Sequence, residues 1–309
     1  MTVLVRDLDP HDPRDTEHFA QVRRAAVPFM LCTAESVAFD TAHAHPEAQY
    51  RPLVAETPAG EIIGTAQTGL VHDSPLPGQG SLNVYVHPEH RGLGAGSEIV
   101  RFAEQRLAKA GATAVYSWVL DEPAYRAFAE RRGYRASRPA HFLRLDLANG
   151  TLPPLAELPP GVELRPAADF ADDPRTLFAL DAETVADEPS DVPTEFTDYE
   201  HWLSETWRHP LTSHDLTMVA LVDGVPAAFT LARTDGGSRY ASGMTGTARA
   251  FRGRGLAKLA KNASLHRARA TGHTEAFTGN DAANEPMLAI NNWFGYKISA
   301  TEVRHVHEL

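Results

Sequence analysis

Cysteine is nearly absent. Cys32 is the single one, so no disulfide can close within the chain and no thiolate cluster for a metal or redox centre can form. It ends the apolar stretch 25–32 and reads as a core residue rather than a nucleophile. A basic surplus is missing as well. Lys and Arg number 29 against 40 Asp and Glu, a net charge of −11, which argues against nonspecific nucleic-acid binding. No apolar run approaches the roughly 20 residues that cross a membrane. The start, Met1-Thr2-Val3-Leu4-Val5-Arg6-Asp7, has neither the basic region nor the apolar run of a leader. A cytoplasmic protein with no membrane or nucleic-acid partner is expected. The histidine pairs His43/His45 and His305/His307 lack a third ligand at a recognisable spacing, so no metal is expected.

What is present is a unit used twice. With 309 residues, 43% of them hydrophobic, the chain has room for about two domains, each with its own core. Arg91-Gly92-Leu93-Gly94-Ala95-Gly96 is matched by Arg252-Gly253-Arg254-Gly255-Leu256-Ala257, 161 positions later. The strand 3–6 is matched by 162–165, the hairpin around Gly60 by one around Gly224, and Gly133-Tyr134 by Gly295-Tyr296. Landmarks in the same order at a nearly constant offset are the mark of an internal repeat. The Pro/Gly-rich stretch 149–161 has neither helical nor strand period and reads as a linker. The expected domains are therefore 1–148 and 162–309. Each reads as an α/β unit: a mixed, mostly antiparallel twisted sheet flanked by helices on both faces.

Each glycine-rich run follows an expected strand and opens an expected helix. A pyrophosphate must approach backbone amides closely, and side chains block that approach. Glycine removes the block and permits the turn, while the following helix adds its dipole and unpaired N–H groups. No Gly-Lys-Ser/Thr follows either run, so a Walker A nucleotidase is disfavoured. A dinucleotide fold would place its glycines after the first strand, whereas these follow the fourth.

Both runs resemble the acyl-CoA-binding motif of the GNAT superfamily of N-acyltransferases, and the resemblance covers nearly the whole chain. It implies acetyl-CoA as acyl donor and a small-molecule amine as acceptor. It assigns the coenzyme to Arg91, Gly92, Leu93, Gly94, Ala95 and Gly96 in the first half and to Arg252, Gly253, Arg254, Gly255, Leu256 and Ala257 in the second. The preceding strands would offer backbone groups to the pantetheine arm and acyl group, at Asn83 with Val84, Tyr85 and Val86, and at Met244 with Thr245, Gly246 and Thr247. The second half also carries Thr278, Asn280, Asn284, Met287 and Asn291 ahead of Gly295-Tyr296, which resembles mycothiol-synthase-like tandem members. That likeness makes Asn280, Asn284 and Asn291 coenzyme contacts, although Asn284 reads equally as a helix N-cap. In the first half Glu122 stands in place of the leading asparagine. Ala129 and Asn291 occupy the positions where many members carry a tyrosine that protonates the leaving thiolate. The second half is therefore expected to be catalytic and the first a weak binder or structural partner.

An ammonium acceptor needs a base to take its proton. Glu56, Glu285 and Asp281 are candidates, each readable instead as a solvated strand or helix-start acid. Nine acids lie between Asp181 and Glu205 with no Lys or Arg among them. They form either an acidic lip that attracts a cationic amine or a solvated face. The missing tyrosine leaves a second function open, a non-catalytic acyl-CoA sensor. Oligomeric state has no sequence signal.

Overall fold

The computed structural model describes residues 3–309; Met1 and Thr2, where the leader reading began, lie outside the described residues. The chain forms two compact units, residues 1–140 with 300–309, and residues 141–299. The first contains β1 (Leu4–Asp7), α1 (Pro13–Ala26), α2 (Ala34–His43), β2 (Leu53–Glu56), β3 (Ile62–Leu70), β4 (Gln79–Val86), α3 (Ala95–Lys109), β5 (Ala114–Leu120) and α4 (Pro123–Glu130). β6 (Arg135–Asp146) begins in it and continues into the second unit. The second contains β7 (Val162–Pro166), α5 (Arg175–Val185), α6 (Tyr199–Trp202), β8 (Met218–Val222), β9 (Val225–Thr234), β10 (Arg239–Thr247), α7 (Leu256–Ala270), β11 (Glu275–Asp281) and α8 (Glu285–Phe294). Most of β12 (Lys297–Glu308), the last strand, belongs to the first unit.

The strand orders are β1-β2-β3-β4-β5-β12 in the first unit and β6-β11-β10-β9-β8-β7 in the second. β4–β5 and β10–β11 are parallel, while the β1–β2, β2–β3, β3–β4, β5–β12, β7–β8, β8–β9 and β9–β10 pairs are antiparallel. This is the mixed, mostly antiparallel α/β sheet expected for each half. The hairpin β8–β9 turns through Asp223 and Gly224, at φ 50° and 82°. Two consecutive positive φ values are what a two-residue turn needs to match strand twist.

Two segments are distributed in a way that the repeat does not reveal. The last strand of the chain pairs with β5 from Glu302↔Leu120 to Glu308↔Ala114. Residues 149–161 are irregular, as a linker would be, but they dock along α7 within the second unit. Leu152 is buried, and Asn262, His266 and Arg269 contact the carbonyls of Pro154, Pro153 and Gly150. The Pro/Gly composition suppresses regular structure without preventing packing.

The helices after the glycine runs owe their positions to one apolar stripe each. α3 buries Ala95, Ile99, Val100, Ala103 and Leu107, and α7 buries Leu256, Ala257, Ala260, Ala263, Leu265 and Ala268. The spacing of three and four residues places these on one face against the sheet. Cys32 is buried in the core formed by α1, α2 and strand residues Val54 and Ile62. Among the described residues, no helix is long and apolar enough to cross a membrane.

Candidate functional site

In the second unit, β10 lies parallel to β11 only as far as Ser242↔Thr278. There the Thr278 hydroxyl donates to the Ser242 carbonyl at 3.3 Å. On its other side, β10 shifts register against β9 between Ser242 and Thr245. Such a bulge carries extra residues that the ladder does not pair and re-aims the backbone locally. Gly243 and Met244 therefore sit where the strand parts from one neighbour and slips against the other. Gly246, just beyond, has no room for a side chain: an added Cβ would lie 2.5 Å from Thr184 Cβ and Cγ2. Helix α5 thus rests directly on this part of the strand.

The first unit differs at the same place. β3 and β4 keep one register from Gly64↔Val86 to Leu70↔Gly80. β4 and β5 run together to Ser81↔Tyr116. Past that point Asn83 Oδ1 accepts from the Trp118 N–H at 2.9 Å, so a side chain spans the opening. Val84 and Val86 pack into the core on the α3 side. Tyr85 lies under the buried guanidinium of Arg23, whose carbon is 5.3 Å from the ring centre.

The two loops share backbone geometry. Gly92 and Gly94 have φ 81° and 95°, and Gly253 and Gly255 have φ 77° and 72°; none would bring a Cβ within 4 Å of another group. The left-handed backbone requires glycine, since other residues cost roughly 1–2 kcal/mol there. Gly94 and Gly255 are the N-caps of α3 and α7, and neither helix has a side-chain cap hydrogen bond. The first-turn N–H groups therefore face the loop as an anion-binding end. The runs 91–94 and 252–255 are exposed, whereas Ala95 and Leu256 are buried as the first residues of the helical stripes.

Surrounding charge separates the two. Around the second loop stand Arg252, Arg254 and Lys258, the last with its ammonium 3.4 Å from the Trp293 ring centre. Arg252 bonds Asp187, and its Nε donates to the Thr247 carbonyl at 3.2 Å. At the first loop Arg91 lies over Tyr125 at 5.1 Å. Ser97, which stands where the second loop has Lys258, is held by Arg132 at 2.5 Å. Gly96 lets Phe128 approach: its ring would be 3.3 Å from an added Cβ.

Two of the three expected asparagines come together. Asn291 is fully buried, and its Nδ2 donates to Asn280 Oδ1 at 2.5 Å. Asn284 instead caps α8, with its Oδ1 accepting from the Met287 N–H at 3.3 Å. The sequence reading missed the third member of the cluster, Lys261. It is fully buried on α7 and donates to Asn291 Oδ1 at 2.7 Å. Burial, with no carboxylate to offset it, pushes this ammonium down to about 7. A signal existed, because Lys261 lies four residues from both Ala257 and Leu265 on the apolar stripe.

The candidate bases are dispersed. Glu56 lies on β2, two strands from β4, and is bonded by Arg6, which also holds Asp15. Asp281 closes a turn by accepting from the Ala283 N–H, and Glu285 is exposed at the start of α8. Much of the acid-rich stretch is engaged inside the second unit. Asp187 bonds Arg249 and Arg252, Glu183 accepts from the Arg249 N–H, and Glu205 pairs with His201. Asp181 is buried and accepts from Trp202 Nε1 at 2.8 Å; burial pushes its carboxyl up to about 6 despite that bond. In the first unit burial pushes Glu302, on β12, up to about 8 against the pull of Arg304. Sequence gave no hint of Glu302, because its strand joins the first unit from the far end of the chain.

A sequence profile described as the acetyltransferase (GNAT) family matches residues 19–134 and 178–296. Mycothiol acetyltransferase of Nocardia farcinica is 32% identical over 259 residues, covering 82% of each chain. Mycothiol acetyltransferase of Frankia casuarinae is 34% identical over 172 residues, 54% of this chain and 48% of the relative. The chain thus spans about half the length of that relative, and 53% of the one from Renibacterium salmoninarum. Among solved structures, a tandem GNAT protein from the clavulanic acid biosynthesis pathway matches at TM-score 0.74 and 18% identity, covering 99% of this chain and 98% of that one. A GCN5-related N-acetyltransferase from Sphaerobacter thermophilus matches at 0.72 and 21%, covering 99% and 95%. At these identities the structural matches speak for the fold alone.

Proposed function

The chain belongs to the GNAT family of acetyltransferases, and on that premise we propose that it transfers acetyl from acetyl-CoA to a primary amine of a small molecule, with catalysis in the second unit. The observation that carries this reading is the coincidence in β10 of the bulge at 243–244, the parting from β11 beyond Ser242, and the glycine nest that follows. The nest and the uncapped start of α7 suit a pyrophosphate. The parted strands suit an extended pantetheine arm. Backbone N–H groups of the kind a bulge frees from the ladder suit the oxyanion formed as an amine attacks the thioester carbonyl. Catalysis here is chiefly placement, since holding amine and thioester together removes most of the entropic barrier. The attacking nitrogen must be neutral, so its proton passes to a carboxylate or to water before the C–N bond forms.

The acceptor reading follows the relatives, whose names indicate a small-molecule acceptor. The engaged acids 181–205 leave less free negative charge for a cationic one than the sequence suggests. One cysteine and an acetyl-CoA donor fit a cytoplasmic setting. A second reading, acyl-CoA sensing without turnover, draws on the buried Asn291 and Ala129 at the positions of the family's acid.

The test is thioester release from acetyl-CoA with a panel of primary amines, for the native chain and for Gly255→Trp and Gly94→Trp. Loss of turnover only with Gly255→Trp is expected. Loss only with Gly94→Trp reverses the assignment of the units. Tight acetyl-CoA binding with no turnover on any amine favours the sensor.

A further inference from the structure

Lys261 is the least expected side chain in the second unit. It is 0% exposed and has no carboxylate partner. Removing an ammonium from water without a counter-ion costs several kcal/mol. Among the described residues its hydrogen-bond partner is Asn291 Oδ1, and the Tyr296 ring centre lies 5.1 Å from Nζ. The titratable group packed against it is Tyr296 after α8, which is buried and has the buried Tyr240 of β10 near it. From β11 and α8 it is approached through Asn280 and Asn291, which are neutral.

The chain of bonds has a fixed direction. Lys261 Nζ donates to Asn291 Oδ1, so the Nδ2 of Asn291 points away from it. That Nδ2 donates to Asn280 Oδ1. Asn280 has its own Nδ2 left over, with no partner among the described residues. Thr278 makes the last contact between β11 and β10. Asn280, two residues on, shares the face of Thr278 in the strand and is the first side chain on it past the parting. A buried amine that donates at one end therefore sets the orientation of an N–H donor at the other, beside the opening.

We propose that Lys261 is a positioning residue of the acyl-donor site, which through Asn291 turns the Asn280 amide N–H toward the sulfur of bound coenzyme A and favours sulfur as thiolate. This rests on the assignment of the donor site to the second unit. It accounts for turnover without the family's tyrosine. As the amine nitrogen bonds the carbonyl carbon and the C–S bond breaks, the electron pair goes to sulfur. The amine's proton goes to the base, and the thiolate leaves as an anion that takes its proton from water. No group need protonate sulfur in place if the anion is stabilised there.

The probes are coenzyme A and desulfo-coenzyme A, bound to the full chain. The readouts are affinity for each and thiolate ultraviolet absorbance against pH. In the native protein the bound thiol should ionise at least ~1 pH unit below the free one, because a hydrogen bond donated to the charged form favours it. Lys261→Met and, as a second variant, Asn291→Leu should abolish that shift while changing desulfo-coenzyme A affinity less than about twofold. A native protein with no shift, a Lys261→Met protein that keeps it, or equal weakening of both ligands overturns the proposal. The same shift retained in Gly255→Trp would instead place the sulfur outside the second unit, overturning the assignment on which the proposal rests.

Discussion

Replacing Lys261 by Met should change stability with a sign that depends on pH. Burial lowers the ammonium from its ordinary 10.5 to about 7. Between those values the unfolded chain holds a proton that the folded chain has released, so native stability rises with pH across that window. Below pH 7 both states are charged and the full penalty of burial applies. At ~1.4 kcal/mol for each tenfold step, the gap corresponds to on the order of 5 kcal/mol. Methionine removes that penalty but leaves Asn291 Oδ1 without its donor, a loss of about 1–3 kcal/mol. The variant should therefore be more stable than the native protein at pH 6, by roughly 2–4 kcal/mol. At pH 10 the penalty is nearly gone, and the variant should be less stable by roughly 1–3 kcal/mol. The assay is thermal unfolding of both proteins across that range, followed through the second unit. For a cooperative unit of this size 1 kcal/mol moves the midpoint by about 2–4 °C. A native-minus-variant difference that stays constant from pH 6 to 10 would refute the reasoning, because it would mean that Lys261 keeps its proton throughout in the folded protein, as it does in the unfolded one.

Glu302 should behave in the opposite sense. Its folded value of about 8 lies above its ordinary 4.5, so the folded state holds a proton that the unfolded state loses, and stability falls as pH rises from 4.5 to 8. Glu302→Gln should match the native protein below pH 4.5 and exceed it by up to ~5 kcal/mol at pH 9, read by urea unfolding; equal stability at both ends counts against a neutral buried carboxyl. Gly246→Ala would set a Cβ 2.5 Å from Thr184 and force α5 off β10, costing ~1–3 kcal/mol and weakening acetyl-CoA binding; an unchanged melting midpoint and affinity would show that the contact is not tight.

Much of the architecture was legible because repetition doubled each weak signal. One Gly-x-Gly turn is an ordinary connection, but two at matching places, each followed by a stripe such as Ile99, Ala103 and Leu107 or Leu256, Ala260 and Ala263, define the strand-loop-helix units. The course of β12 was not legible, since a strand's partners depend on tertiary pairing and nothing in residues 302–308 names β5. The bulge at Gly243–Met244 was hidden for a related reason: register is a relation between two strands, and the sequence of one does not contain it. Arg252 illustrates a third limit. Its place in the motif was plain, but its bond to Asp187 joins residues 65 positions apart. The same contact accounts for part of the acid-rich stretch that local composition had left as a free surface.

The two halves differ most where their strands part, and that difference bears on how one repeat can keep a nest while changing its use. A glycine nest needs only local backbone, so Gly92 and Gly94 hold their positive φ without reference to β4 or β5. A thioester needs more: an opening between strands and unpaired N–H groups beside it. Asn83, bonded to the Trp118 N–H, fills the opening in the first unit, while the unbroken β3–β4 register pairs the backbone that a bulge would have freed. Met244 occupies the matching place in the second unit, next to the register shift. Methionine offers no acceptor of comparable strength to draw the opposite strand's amide across. If the second unit alone handles the acyl group, as proposed, the first needs no change in its glycine loop to differ from it. A side chain across the gap and a regular ladder are enough to close the strand opening while the glycine loop keeps its backbone geometry.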